Sequence, residues 1–482
     1  MPVSSSASAD SSTSSRSAHE PRLPRGPLPS SPPDDRVKFF LPDSQDLVDP
    51  SFDFELERRS MTRQRQRDDL YAHEVFSTPA FDGLLVSKGI VDGFGVLGSR
   101  YTLSQRRRLL TDGAPRFFRV EHAPYALEIM GDCGAFTYVD EEEPPYSVDE
   151  VLDFYESCRF HYGVSLDHVI LEFNPAADAP GAGEDVIAPS IRARRQLTLE
   201  LAREFLRKHK TGHHSFKPLG VAQGWSPKSY AEAVKALQKM GYDYIALGGM
   251  VPLKSQEIRM CLQEIHRVRK PDTRLHLLGV TRTEHLQEFS RLGIASFDST
   301  SPLRQAFKDA RDNYYSAERK YTAIRIPQIE GNPDLQQKIT AGQVSQEHAR
   351  RLERQCLESM RLFDQGQRTV RQTLEVLLEY ERLYDPDTRQ QKPGTKQKKN
   401  DHAAAYEQTL TAAPWRHCPC EVCKELKYHV ILFRGAERNR RRGFHNIWTL
   451  YRQLRELGLG DEPTRQEHTG PLARQVKTRA RG

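Results

Sequence analysis

The sequence predicts a parallel α/β fold closed into a barrel, with a metal-binding segment toward its C-terminal end. Three observations carry this expectation. From about residue 83 to 316, short β-rich runs alternate with longer helical patterns, as strand–helix units of a parallel sheet do. Seven or so such units fit a barrel better than a two-fold open sheet, and no Gly-x-Gly-x-x-Gly follows a first strand, which argues against dinucleotide binding. Cys418, Cys420 and Cys423 are followed, after 21 residues, by His445. Three thiolates and one imidazole suit a closed tetrahedral zinc site that holds structure and leaves no open position for a substrate.

The elements follow in order. Residues 1–36 are rich in Ser and Pro and lack the apolar stretch of a signal peptide; they read as a disordered leader. Order begins with a short strand at 37–41. Further strands are expected at 83–87, 127–131, 168–173, 218–222, 244–247, 275–279 and 294–297, with helices at 148–160, 189–209, 227–240, 255–269, 283–291 and 302–315. Ser147 with Glu150 forms a capping box, and Ser226-Pro227 sets a cap residue before a proline at the first helical position. Residues 343–383 read as a helical hairpin interrupted at Gly366. Residues 386–400, with Lys392, Lys396, Lys398 and Lys399, read as a mobile linker. The zinc segment spans 414–446, a short helix 446–456 follows, and 461–482 read as loosely ordered. The expected domains are therefore a barrel at 37–340, a helical insert and basic linker at 341–400, and a zinc-binding subdomain with its tail at 401–482.

The chain has 482 residues, 37% hydrophobic and 28% charged, with a net charge of +6, so it holds at least one sizeable core. The mild basic excess is compatible with a polyanionic partner without requiring one. Seven cysteines, three clustered and four (Cys133, Cys158, Cys261, Cys356) scattered, make a poor disulfide framework and a good metal site. No apolar run is long enough to span a membrane. Together these place the protein in the cytoplasm.

Barrels of this kind carry their chemistry at the C-terminal ends of the strands. There the sequence sets Asp132, Asn174, Gln223, the pair Gly248-Gly249 and Asp298. A single Asp at a strand end is commonly a cap or turn residue, but two carboxylates, two amides and a glycine pair end five of the expected strands. The two glycines would let backbone amides approach a planar ligand closely. Arg58, Arg59, Arg63, Arg65 and Arg67 read equally as a phosphate grip or as a solvated face.

These segments resemble the tRNA-guanine transglycosylase superfamily, which joins a TIM (β/α)8 barrel to an inserted Cys-x-Cys-x-x-Cys…His zinc subdomain. The matching runs are Gly131-Asp132-Cys133-Gly134-Ala135-Phe136, Gly220-Val221-Ala222-Gln223-Gly224, Ala246-Leu247-Gly248-Gly249, Leu278-Gly279-Val280 and Phe297-Asp298-Ser299-Thr300-Ser301-Pro302-Leu303-Arg304. The opening Phe40-Leu41-Pro42-Asp43-Ser44-Gln45-Asp46 and the pair Pro144-Pro145 before Tyr146 are most similar to the DpdA branch. That branch exchanges guanine in DNA for a 7-deazaguanine, usually 7-cyano-7-deazaguanine (preQ0), and partner enzymes process the product further. A helicase-like partner that opens the duplex is among the partners to consider.

The resemblance implies a double displacement. Asp298 would be the nucleophile and Asp132 the general acid and base. Asn174 or Glu172 would read the base, beside Gln223, Gly248, Gly249 and Met250. It also implies structural zinc on Cys418, Cys420, Cys423 and His445. Arg304 reads as a phosphate contact or as a first-turn helix charge. From Asp401 onward there are 15 Lys/Arg against 9 Asp/Glu, which equals the whole chain's excess. The run Arg438, Arg440, Arg441 and Arg442 makes this the expected phosphate-binding surface. No acid follows Gly248-Gly249 before Glu257, which favours the neutral nitrile of preQ0 over a cationic aminomethyl base. The alternatives are a tRNA-guanine transglycosylase and a non-catalytic, zinc-stabilised nucleic-acid-binding subunit; retention of both Asp132 and Asp298 argues against the second.

Overall fold

The computed structural model describes residues 36–94, 100–183, 186–280, 282–308, 311–384 and 402–459. The expected linker and C-terminal tail, and all of the expected leader but Arg36, lie outside the described residues.

Eight parallel strands close into a barrel in sequence order: β1 Lys38–Pro42, β2 Gly83–Ser87, β3 Glu128–Asp132, β4 Tyr162–Val164, β5 Lys217–Ala222, β6 Tyr244–Leu247, β7 Arg274–Leu277 and β8 Ile294–Asp298. Closure sets β1 beside β8, with Phe40 opposite Asp298. Alternate side chains point inward. Phe40, Leu85, Met130, Val164, Leu219, Val221, Tyr244 and Ala246 fill the interior. The other face of each strand packs on the surrounding helices. On β8, Phe297 stacks on Phe39 at 5.0 Å outside the barrel, which leaves Ser296 and Asp298 inside.

The crossover helices start where local chemistry predicts. Ser147 Oγ accepts the Glu150 N–H at 3.3 Å, and the Glu150 carboxylate accepts the Ser147 N–H at 2.7 Å, opening Val148–Ser157. Ser226 Oγ caps Pro227–Met240 through the Ser229 N–H at 3.3 Å. Gln346–Asp364 and Val370–Tyr384 form the helical hairpin. Among the described residues no helix is long and apolar enough to cross a membrane.

Three expected elements fall elsewhere. The fourth strand is Tyr162–Val164, not 168–173; Val169 and Ile170 are buried in the loop after it, and a short apolar run does not distinguish a strand from a packed loop. The expected helix 302–315 stops after Ser301–Gln305, and Tyr314–Tyr315 is a strand. Here the C-terminal helix captures the backbone, as Asn446 Oδ1 accepts the Tyr315 N–H at 2.9 Å. That helix is Gly435–Glu456, so it starts well before residue 446 and carries both His445 and the arginine run.

Candidate active site

Asp298 ends β8 inside the barrel and is 6% exposed. Its Oδ1 accepts the Gly279 N–H at 2.9 Å and faces His276 Nε2 at 3.2 Å. His276 lies on β7, fully buried. Its Nδ1 meets Ser296 Oγ at 2.5 Å, and Ser296 Oγ meets the Tyr244 hydroxyl at 2.5 Å. Strand parity explains the row, because Ser296 and Asp298 are two apart on β8.

Asp132 ends β3, opposite Ser87 on β2. Its Oδ2 accepts the Gly134 N–H at 3.0 Å. Asp167, in the loop after β4, is 2% exposed. Its Oδ2 accepts from Gln223 Nε2 at 2.7 Å, and its Oδ1 from the Cys133 thiol at 3.1 Å. The other end of the Gln223 amide takes the Ile170 N–H at 3.2 Å, so the amide's orientation is fixed from both sides. The pair Gly248-Gly249 closes against it. A Cβ on Gly248 would lie 2.2 Å from Gln223 Nε2, and one on Gly249 (φ +73) 2.2 Å from the Ile170 carbonyl oxygen. These glycines are therefore needed by the site's own packing.

Three carboxyl groups thus share one barrel mouth. Burial first, and then the charges of Asp167 and Asp298, push the Asp132 carboxyl up to about 7. Burial pushes Asp167 up to about 6, against the lowering effect of its Cys133 and Gln223 partners. Groups that lose and regain a proton near neutral pH suit acid–base chemistry.

Of the residues expected to form the site, Asp132, Gln223, Gly248, Gly249 and Asp298 converge, and Met250 is buried beside them. Asn174 and Glu172 do not belong to the cluster. Glu172 is exposed. Asn174 Oδ1 caps the short turn Pro175–Asp178 through the Ala176 N–H at 3.1 Å. The carboxylate beside Gln223 is Asp167, missed because the fourth strand was set six residues too late. Tyr162-Gly163-Val164-Ser165-Leu166-Asp167 was the available signal. His276 was missed because it sits within a strand and not at its end; a lone His in Leu275-His276-Leu277-Leu278 marked it.

Cys418, Cys420, Cys423 and His445 offer ligand atoms within 4.8 Å of one another and could hold a metal ion. His445 Nδ1 lies 3.5, 3.5 and 3.4 Å from the three sulfurs. A tetrahedron with Zn–S of about 2.3 Å and Zn–N of about 2.0 Å has N···S edges of about 3.5 Å, so the spacing fits zinc. His445 Nε2 faces the Tyr315 carbonyl at 2.7 Å, which fixes the ring with Nδ1 toward the sulfurs.

The arginine run corrects the expected phosphate surface. Arg438 is 1% exposed, Arg441 3% and Arg442 0%. Arg438 pairs with Glu57 at 2.7 Å, and Arg441 with Glu437 at 2.9 Å. Arg442 donates to the carbonyls of Val430, Leu432 and Ala306 and to Asn439 Oδ1 at 3.2, 2.9, 2.6 and 2.6 Å. Burial, and then the nearby Arg438 charge, lower its pKa to about 9. Arg440 reaches Asp46 and Glu437 at 3.6 Å each. The helix carries Arg438 inward to Glu57, 381 residues away in sequence, and Arg442 to backbone carbonyls, which charge counting cannot foresee. Arg304, just past β8, is exposed. Of the N-terminal arginines, Arg63 is held by Asp69 and Asp49 at 2.6 and 3.1 Å, whereas Arg58, Arg65 and Arg67 are exposed.

Residues 183–330 match the family described as TGT: Queuine tRNA-ribosyltransferase. The chain is 30% identical over 153 residues (31% of this chain, 38% of the other) to a Queuine tRNA-ribosyltransferase of Xylella fastidiosa (strain M12). To one of Xanthomonas campestris pv. campestris (strain B100) it is 27% identical over 169 residues (35% and 42%). These similarities indicate a pentosyltransferase of the base-exchange class. A Salmonella montevideo protein named DNA-guanine transglycosylase is 48% identical over 420 residues, 87% of this chain and 97% of that protein. The chain therefore belongs to the DNA-guanine transglycosylase (DpdA-type) branch of the tRNA-guanine transglycosylase superfamily.

Proposed function

We propose that the protein exchanges guanine in DNA for a 7-deazaguanine base, preQ0, through a glycosyl intermediate on Asp298. The observation that carries this is the three-carboxylate mouth, in a chain that follows a DNA-guanine transglycosylase over nearly its whole length.

The target nucleotide first leaves the duplex, at a cost of about a few kcal/mol. An Asp298 oxygen attacks C1′ of the sugar. The C1′–N9 bond breaks, and its electron pair leaves with guanine, which takes a proton from Asp132. Asp132, with its pKa near 7, is part protonated at neutral pH and can give that proton. As a carboxylate it then removes N9–H from the incoming base, whose nitrogen attacks C1′ and releases Asp298. Two displacements at one carbon retain its configuration, and one glycosidic bond replaces another without a redox partner.

Asp167 and Gln223 read the base. A carboxylate accepts from ring N–H and exocyclic amine, and the Gln223 hydrogen bonds lock Asp167 in place. The nitrile of preQ0 suits the wall after Gly248-Gly249. Met250 and Leu253 are buried there, and the first acid further along the chain, Glu257, accepts the Lys254 N–H at 2.7 Å at the start of the next helix. Zinc is the metal that the Cys3His set would hold. It would supply folding energy to the segment around the C-terminal helix.

Purified protein offered labelled preQ0 with duplex DNA or unmodified tRNA tests the proposal. Label is expected in DNA alone, and to be lost with Asp298→Asn while folding is kept. Label entering only tRNA would sink the DNA reading; activity retained by Asp298→Asn would sink the nucleophile.

A further inference from the structure

We propose that His276 is a positioning residue for the nucleophile, holding Asp298 Oδ1 so that Oδ2 is the oxygen that attacks C1′. This rests on the reading of Asp298 as nucleophile.

The hydrogen bonds assign the two oxygens. Both described donors to Asp298, the Gly279 N–H at 2.9 Å and His276 Nε2 at 3.2 Å, converge on Oδ1. An ionised carboxylate only accepts, so Nε2 carries a proton. Donors on Oδ1 concentrate negative charge there and fix the plane of the carboxylate. Oδ2 keeps its lone pairs for the sugar carbon.

A chain of donors holds the imidazole in the tautomer this requires. With the proton on Nε2 given to Asp298, Nδ1 is the acceptor, so Ser296 O–H donates to it and Tyr244 O–H donates in turn to Ser296 Oγ, across the three contacts of 3.2, 2.5 and 2.5 Å. Each proton is used once, and along this row only Asp298 Oδ2 has no described donor. Tyr244, Ser296 and His276 are 3%, 0% and 0% exposed, so water does not compete. Phe40 meets the imidazole edge-on, with ring centroids 6.0 Å apart, and blocks rotation of the ring away from Asp298. A row of buried polar groups inside an otherwise apolar barrel would lower stability unless all were paired. Here its end is the reacting carboxylate.

The consequence is geometric. Without His276, one donor remains on Oδ1 and the carboxylate turns about its Cβ–Cγ bond. Misplacement by about 1 Å can cost about 100-fold in rate. The loss should fall on kcat, because the base is read at Asp167 and Gln223.

Three variants tested with labelled preQ0 and duplex DNA decide the matter, beside Asp298→Asn. His276→Phe keeps the ring's shape and removes the donor; kcat should fall about 100-fold with KM for preQ0 unchanged. His276→Gln returns an amide N–H near the Nε2 position and should recover at least tenfold of that loss, which a merely space-filling role would not do. Ser296→Ala removes the tautomer lock and should lower kcat by about tenfold. Wild-type kcat in a folded His276→Phe, with Asp298→Asn inactive, overturns the inference and leaves the nucleophile standing. Activity in Asp298→Asn overturns the reading beneath it. If His276→Phe does not fold, Ser296→Ala decides, and an unchanged kcat there overturns the proposal.

Discussion

Replacing Asp132 with Asn should abolish exchange and stabilise the protein, and the structure sets the pH dependence of the gain. Burial, and then the charges of Asp167 and Asp298, hold this carboxyl at about 7 against an ordinary 3.8. Below pH 3.8 the folded and unfolded chains both carry the proton, and the group does not affect stability. Between 3.8 and about 7 the unfolded chain releases a proton that the folded chain keeps. The wild type then loses about 1.4 kcal/mol per pH unit. Above about 7 the loss is complete, at about 4 kcal/mol as an upper figure; relaxation of the neighbouring carboxylates brings the expected value to about 2–4 kcal/mol. Asp132→Asn is neutral at every pH, and its amide oxygen can still take the Gly134 N–H. Urea unfolding at pH 4, 6 and 8 is the assay. The variant should match the wild type near pH 4 and exceed it by about 2–4 kcal/mol at pH 8. A variant no more stable than wild type at pH 8, or an advantage that does not grow with pH, would refute the account of the carboxylate cluster.

Other outcomes follow from the same contacts. Asp167→Asn should raise KM for preQ0 at least tenfold and leave the far-ultraviolet circular dichroism unchanged; a wild-type KM would remove Asp167 from base reading. Arg442→Leu leaves four buried acceptors without a donor, at about 1–3 kcal/mol each, so it should cost at least about 3 kcal/mol in unfolding free energy, measured by denaturant titration. Arg304→Ala should leave stability alone, weaken DNA binding and lower the salt slope of log K by about 1, as read by fluorescence anisotropy from 50 to 200 mM salt. Chelator treatment, or Cys420→Ser, should lower the melting temperature before it changes kcat of the protein that remains folded; a kcat loss with unchanged melting would put the metal in the chemistry.

The barrel was legible because strand–helix alternation and capping residues are local properties. The strand over Tyr244–Leu247 and the helix Pro227–Met240 fall where periodicity and caps put them. The Cys418, Cys420, Cys423 and His445 cluster was legible because thiolate spacing is itself a constraint. The fourth strand was not, since the buried run Val169-Ile170 outweighed the shorter Tyr162–Val164, and that shift drew attention to Asn174 and Glu172 and away from Asp167, the buried carboxylate beside Gln223. The arginine run was misread for a different reason. A charge is solvated or buried according to its partner, and the partners Glu57 and Asp49 lie far upstream.

That clamp also orders the making of the molecule. Glu57 and Arg438 are 381 positions apart, Arg59 and Glu437 378, and the Asp49 N–H and Glu437 388. At about 5–20 residues per second of synthesis, the segment that follows β1 waits about 20–80 s for the helix that neutralises it. Until then Asp49 and Asp69 have the nearby Arg63, and Glu57 faces water or whatever binds the nascent chain. β1 waits for β8 across the 258 positions from Phe40 to Asp298, about 13–52 s at the same rate. The segment that follows β1 is therefore locked in place late in translation, after all eight barrel strands and Asp132, Asp167 and Asp298 have been made.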